Sequence, residues 1–182
     1  LPAHRTFQRP APQAMLNVTA KGPVKTHASH KGSHGDVVIV GGASGMGGAA
    51  VLAATAALHA GAGRVMASWL GGSANTLPPD VMQPDAAALE LERLSVVAGC
   101  GGGQAIAERL PDILQRSAHL TLDADGLNAL AADKGLKTLL RLRGAEKPTV
   151  LTPHPLEAAR LLGISTAQVQ ADRLACSQRI AE

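Results

Sequence analysis

The chain has 182 residues, a net charge of +3 and 46% hydrophobic residues, enough apolar material for one globular domain with a sizeable core. Aromatic residues make up 1%, Phe7 and Trp69 alone, which excludes the stacked aromatic platforms of single-strand nucleic-acid binders. The basicity is concentrated in Arg5, Arg9, Lys21, Lys25 and Lys31; without them 12 basic residues face 14 acidic ones, so no basic face for nucleic acid is expected.

Residues 1–29 carry Pro, His and Gln without a period. They read as an irregular leader, or an arm against a neighbouring subunit. They lack the apolar stretch of a signal peptide. No apolar run reaches ~18 residues without polar breaks, so no membrane helix is expected. The chain opens with Leu1 rather than Met, which reads as a start inside a longer chain. Cys100 and Cys176 have no metal-ligand spacing. They point to a reducing, cytoplasmic setting without a disulfide framework.

His30-Lys31-Gly32 leads into Val37–Val40, a β-branched run suited to a strand buried on both faces. The glycine loop Gly41-Gly42-Ala43-Ser44-Gly45-Met46-Gly47-Gly48 follows, then an alanine-rich helix over Ala49–Ala60 that Gly61-Ala62-Gly63 stops. Glycines admit positive φ and a close ligand, and a helix N-terminus favours an anion. The loop matches neither GxGxxG nor GxxxxGK[ST], so a tight turn with close helix–strand packing is the competing reading. Ser44 lies in GGASG, not in a GxSxG elbow, and is not read as a nucleophile.

Arg64–Ser68 reads as the second strand and residues 69–83 as loop. The alanines of Ala86–Glu92 favour helix. Leu94–Ala98 is the next buried strand. Gly99-Cys100-Gly101-Gly102-Gly103 is a second glycine turn, opening a helix from Gln104 to about Ser117. Leu120–Leu122 is a strand ending in Asp123-Ala124-Asp125, with a short helix over Gly126–Ala132. Thr149–Leu151 is a strand ending in Thr152-Pro153-His154-Pro155. Helices follow over Glu157–Leu162 and from Ser165 through Ile180.

Short apolar strands alternating with helices predict an α/β fold with a mainly parallel sheet and helices on both faces. Ligands of such sheets lie beyond the carboxyl ends of the strands. Every unusual cluster falls there: both glycine turns, Asp123 and Asp125, and His154 with Glu157. One binding cleft is therefore expected to share them. Asp123 and Asp125 suit ligand hydroxyls or a hydrated cation; the alternative is that Asp125 caps a helix and Asp123 is solvated. His154, held between two prolines, suits a hydrogen bond to substrate, against a plain turn histidine. Glu157 lies in the first turn of a helix, where its charge also suits the dipole.

His30-Lys31-Gly32, the Gly41–Ala49 loop, Ala57–Gly63, Gly99-x-Gly101-x-Gly103, Leu122-Asp123-Ala124-Asp125-x-Leu127-Asn128, Thr152-Pro153-His154-Pro155-x-Glu157 through Leu162, and Asp172-Arg173 occur in the order of a known family. Over about residues 28–182 the chain resembles the carboxy-terminal, ribokinase-like domain of the ADP/ATP-dependent NAD(P)HX dehydratases, which repair nicotinamide nucleotides. The resemblance implies a three-layer α/β/α fold, with residues 30–182 forming the N-terminal part of that domain. It implies hydrated NADH or NADPH as substrate and ADP or ATP as phosphoryl donor, with Mg2+ accompanying the nucleotide. Carried over by position, Ala49, Gly101 and His154 match substrate contacts, and Asp123, Asp125 and Glu157 match acids near the cleft. Gly41, Gly42, Gly45, Gly48, Gly99 and Gly103 belong to its two glycine loops. A homo-oligomer, tetrameric or larger, and an upstream NAD(P)HX epimerase domain are implied too, with no nucleic-acid or membrane partner and no metal site in the protein itself.

The second loop departs from the family, with Cys100 where relatives usually have Pro and Gly102 where they have Leu. The family also places a Lys-Gly-containing adenine-nucleotide segment and a Gly-x-Gly-Asp turn after the last helix of this chain. The Asp of that turn is the family's catalytic base. No catalytic residue is therefore expected within residues 1–182; an incomplete sheet and little or no dehydratase activity in this polypeptide are expected with it. The alternatives are a ribokinase-like kinase of a sugar or vitamin precursor, or a non-catalytic nucleotide-binding fragment.

Overall fold

The computed structural model describes residues 27–72, 77–144 and 146–182. The expected leader therefore lies almost wholly outside the described residues. Six strands form one parallel sheet: β1 (Asp36–Gly41), β2 (Arg64–Trp69), β3 (Val81–Met82), β4 (Ser95–Ala98), β5 (His119–Leu122) and β6 (Thr149–Leu151). Their order is β3-β2-β1-β4-β5-β6. The chain builds outward from β1 to β3, then returns to the other side of β1 and builds outward again. The strand order reverses between β1 and β4, and that gap is where open α/β sheets hold ligands.

The apolar runs make strands because both of their faces are covered. In β1, Val38 and Val40 point into one cluster with Val96, Ala98, Leu120 and Leu122, while Ile39 points into another with Val65 and Ala67. The first cluster is covered by α2 (Ile106–Arg116), α3 (Ala124–Ala132) and α4 (Lys134–Arg143), the second by α1 (Gly47–Ala60). Helices thus lie on both faces, as in the three-layer arrangement. Packing on the α1 face thins towards β6. Ile39, Val97, Thr121 and Val150 lie side by side across the sheet, and exposure rises from 0% at Ile39 to 57% at Val150. A third cluster joins α5 (Pro155–Leu162), α6 (Thr166–Ala171) and α7 (Arg173–Ala181) through Ala158, Ala159, Val169 and Cys176.

The structure corrects several expectations. Residues 69–83, read as loop, include β3, which pairs in parallel with β2; residues 73–76 are not described. Ala86–Glu92 is not one helix but two short 3-10 turns, Ala86–Ala88 and Leu91–Arg93, the first capped by the Asp85 carboxylate. The helix expected over Ser165–Ile180 is two helices. Asp172 breaks it with φ −150° and accepts a hydrogen bond from the Ala175 amide, so a second helix starts there. Helix α4 had no expectation at all. Asp133 caps it through the amides of Gly135 and Leu136, and Leu136 anchors it in the core.

Candidate functional site

The two glycine turns follow β1 and β4, the strands that flank the reversal, and backbone hydrogen bonds staple them together. The Gly42 amide donates to the Cys100 carbonyl at 3.1 Å and the Ala43 amide to the Gly101 carbonyl at 2.7 Å. Glycine is required by this closeness. A Cβ on Gly41 would lie 2.3 Å from the Cys100 carbonyl oxygen, and one on Gly101 (φ +59°) 2.3 Å from that of Met46. Gly103 lies against the Met46 methyl and Ala43, and the Trp69 ring covers Gly42. Gly45 and Gly48 differ: a Cβ at either meets nothing within 4 Å. The tight-turn reading therefore holds for Gly41, Gly42, Gly99, Gly101 and Gly103, while Gly45 and Gly48 face open space.

Helices α1 and α2 leave these turns for opposite faces of the sheet, and neither has a side-chain cap at its N-terminus. Their first-turn amides are free of side-chain acceptors, the condition in which a helix start holds an anion. Ala49 lies exposed in the first turn of α1.

Neither acid after β5 behaves as the capping alternative has it. Asp123 occupies the N-cap position of α3 without making a cap bond. Its Oδ1 accepts from the Thr152 hydroxyl at 2.6 Å, and its Oδ2 lies 3.6 Å from the Cys100 thiol, which donates to it. Asp125 does not cap either; its Oδ2 accepts from the Gly103 amide at 2.9 Å and so closes the second glycine turn. The two carboxylates diverge at Ala124, which has φ +46° and is the one positive-φ residue other than glycine among the described residues.

His154 and Glu157 form a reciprocal cap on α5. The Leu156 amide donates to His154 Nδ1 at 3.1 Å, so that nitrogen carries no proton. Glu157 Oε2 accepts from the His154 amide at 2.8 Å, and its Oε1 lies 3.1 Å from His154 Nε2. The histidine is thus a helix cap with a fixed tautomer, more specific than a plain turn residue, and its ring remains more than half exposed while Glu157 is buried.

The structure thus brings Gly101, Gly103, Asp123 and Asp125 into one connected cluster. Ala49 lies in the first turn of α1, whose N-cap residue Met46 packs against Gly101 and Gly103, and His154 and Glu157 follow Thr152 beyond β6. Thr152 and Cys100 are the residues that sequence reasoning left without a role. Both sit directly after a strand, as Asp123 does. That positional signal becomes a contact only because β4, β5 and β6 are neighbours. Among the described residues no group of three His, Cys, Asp or Glu could hold a metal ion.

Burial, and next the Asp123 charge, push the Cys100 thiol from its ordinary 9.0 up to about 11. Folding thus favours the protonated thiol. This contribution is complete below pH ~9, where the unfolded thiol is also protonated, and is lost as pH rises from there to about 11. Both cysteines are buried and unpaired. The expected result is no reaction of the folded chain with a disulfide reagent at pH 8, and two reactive thiols after denaturation. One thiol titrating rapidly without denaturant would contradict this.

Residues 37–182 match the NAD(P)H-hydrate dehydratase family. The chain belongs to that family. Among its relatives is the ADP-dependent (S)-NAD(P)H-hydrate dehydratase of Neisseria meningitidis, 42% identical over 165 residues, which cover 84% of this chain and 54% of that protein. The ADP/ATP-dependent NAD(P)H-hydrate dehydratase of Bacillus subtilis, co-crystallized with ATP/Mg2+, superposes with a TM-score of 0.62 at 27% identity, over 83% of this chain and 55% of that one. A ribokinase-like superfamily protein of Enterococcus faecalis superposes at 0.67 over 86% of this chain and 57% of its own; at 22% identity it bears on the fold alone, which is ribokinase-like. The chain spans about half the length of these relatives. The Neisseria and Bacillus proteins carry the dehydratase name, which favours that reading over a small-molecule kinase.

Proposed function

We propose that this chain binds hydrated NADH or NADPH and serves their ADP- or ATP-dependent dehydration. The observation that carries the reading is the carboxyl edge of β1 and β4, where two stapled glycine turns meet two uncapped helix starts beside a pair of carboxylates. Phosphates suit the free amides, and hydroxyls of the hydrated nucleotide suit the acids. In this reading Ala49, Gly101 and His154 contact the nucleotide, and Asp123, Asp125 and Glu157 shape the cleft. Hydroxide leaves carbon poorly and phosphate leaves well. Transfer of the terminal phosphoryl group to the added hydroxyl, then loss of phosphate and of the neighbouring proton, restores the ring double bond. In this reading Mg2+ arrives with the nucleotide phosphates, which supply most of its ligands in such sites. The reading includes a homo-oligomer, a cytoplasmic setting and a companion epimerase domain; two unpaired cysteines support the second of these.

Calorimetry with hydrated NADPH, NADPH and ADP tests the reading. The wild-type chain is expected to bind the hydrated nucleotide, and absence of any nicotinamide-nucleotide binding would overturn it. Gly48→Ala sharpens the test. The methyl meets no protein atom, so the fold should keep its stability or gain about 0.5 kcal/mol, while nucleotide affinity falls at least about threefold because the methyl enters the ligand's space. Unchanged affinity in Gly48→Ala would remove the first glycine loop from the site.

A further inference from the structure

Asp123 is the exception among the polar N-cap residues of the α-helices. Asp133, His154, Ser165 and Asp172 all sit at N-cap positions and all accept a first-turn amide. Asp123 sits at the same position before α3 and accepts none. An Asp cap ordinarily stabilises its helix by about 1 kcal/mol, which this residue forgoes. Its carboxylate instead turns across the carboxyl edge of the sheet. There it meets Thr152 from the end of β6 and Cys100 from the end of β4. Its backbone is satisfied without the side chain, since the amide donates to Ala98 and the carbonyl accepts from Gly126. The left-handed backbone of Ala124 permits this aim, at a strain of about 1 kcal/mol. A cap forgone, a strained neighbour and two donors drawn from flanking strands all serve one orientation.

We infer that Thr152, with Cys100 as a second donor, is a positioning residue that holds the Asp123 carboxylate as an aimed acceptor for a hydroxyl of the bound nucleotide. The inference rests on the nucleotide reading above. Each carboxylate oxygen has one protein donor and keeps a further lone pair for the ligand. Thr152 fixes the acid at 2.6 Å, while the thiol, a weaker donor, sets the other oxygen. The hydroxyl recognised is on the hydrated ring or on a ribose, and a comparison of hydrated with ordinary NADPH separates the two.

The test is the affinity of the full chain for hydrated NADPH and for NADPH, read by calorimetry or by the fluorescence of Trp69, the one tryptophan. Thr152→Val keeps shape and loses the donor, and is expected to weaken hydrated NADPH about tenfold, the scale of a charged hydrogen bond. Thr152→Ser restores the donor and should bind within about twofold of wild type. Asp123→Asn should lose at least as much as Thr152→Val, and the double variant no more than Asp123→Asn, because both remove one interaction. A loss confined to hydrated NADPH places the hydroxyl on the ring; an equal loss for NADPH places it on a ribose. If the wild type binds and Thr152→Val binds equally well, the inference fails alone. Equal losses in Thr152→Val and Thr152→Ser would make Thr152 merely structural and overturn it too. If the wild type binds neither nucleotide, the functional reading falls and the inference with it. Should Thr152→Val not fold, Asp123→Asn decides: wild-type affinity there overturns the inference.

Discussion

Arg143→Ala is expected to lower the free energy of unfolding by about 3–4 kcal/mol, the scale of breaking a buried network around a charged group. Arg143 ends α4 and is 4% exposed, yet among the described residues no carboxylate pairs with it. Its Nη1 donates to the Leu114 carbonyl at 2.7 Å and the Ser117 hydroxyl at 3.0 Å, and its Nε to the Thr149 hydroxyl at 2.8 Å. Leu114 lies in the last turn of α2, so the guanidinium sits at the negative end of that helix dipole. Lys147 joins it, donating to the Gln115 carbonyl at 2.5 Å. The last carbonyls of α2 thus take the place of an acid for these two cations. Burial lowers the Arg143 pKa from its usual value. Among the described residues its Nη2 has no hydrogen-bond partner. Truncation would leave the Leu114 carbonyl without its donor and open a void between α2, α4 and β6. Arg143→Lys should recover little, because one ammonium cannot span the three acceptors. Urea denaturation checks this: the midpoint should drop with an unchanged slope. A midpoint within error of wild type would show that the network contributes nothing.

Gly99→Ala should act on stability and site together. Gly99 has φ +103°, and a Cβ there would lie 2.0 Å from the Asp123 carbonyl oxygen and 2.7 Å from the Gly126 nitrogen. Nothing in that contact is a flexible side-chain end; both are backbone of the β5–α3 junction. The methyl therefore has to push that junction away from the second glycine turn. The expected cost is about 3 kcal/mol, from left-handed strain and overpacking combined. Gly45→Ala is the control. It has φ +76° but open space around the Cβ, so only strain of about 1 kcal/mol applies. Thermal unfolding of both variants separates crowding from strain. The Gly99 variant should also lose nucleotide affinity, since the junction it displaces carries Asp123 and Asp125. Equal unfolding temperatures for the two variants would mean that the close approach costs nothing.

Much of this architecture is legible in the sequence. Val37–Val40, Leu94–Ala98 and Leu120–Leu122 are short apolar runs before glycine or aspartate, and each is a strand with the cluster at its carboxyl end. Local chemistry suffices there, because burial on both faces demands apolar residues and the turns demand glycine or a capping acid. Local chemistry could not separate one helix from two around Asp172, since the break depends on which amide the carboxylate reaches. It also missed β3, where two residues of strand exist only by pairing with β2.

The site divides along the same line. The sequence by itself singled out the candidates: the glycines, Asp123, Asp125, His154 and Glu157. Only the tertiary structure decided what those residues touch. The reversal of strand order puts β4 beside β1, and this alone lets Gly42 and Ala43 hydrogen-bond to the second glycine turn. It puts β6 beside β5, and so places Thr152 on Asp123 rather than leaving that acid to cap α3. The physical reason is that parallel strands pair across long stretches of chain. Their register is set by the packing of both sheet faces, and no local pattern around Asp123 or Thr152 encodes it.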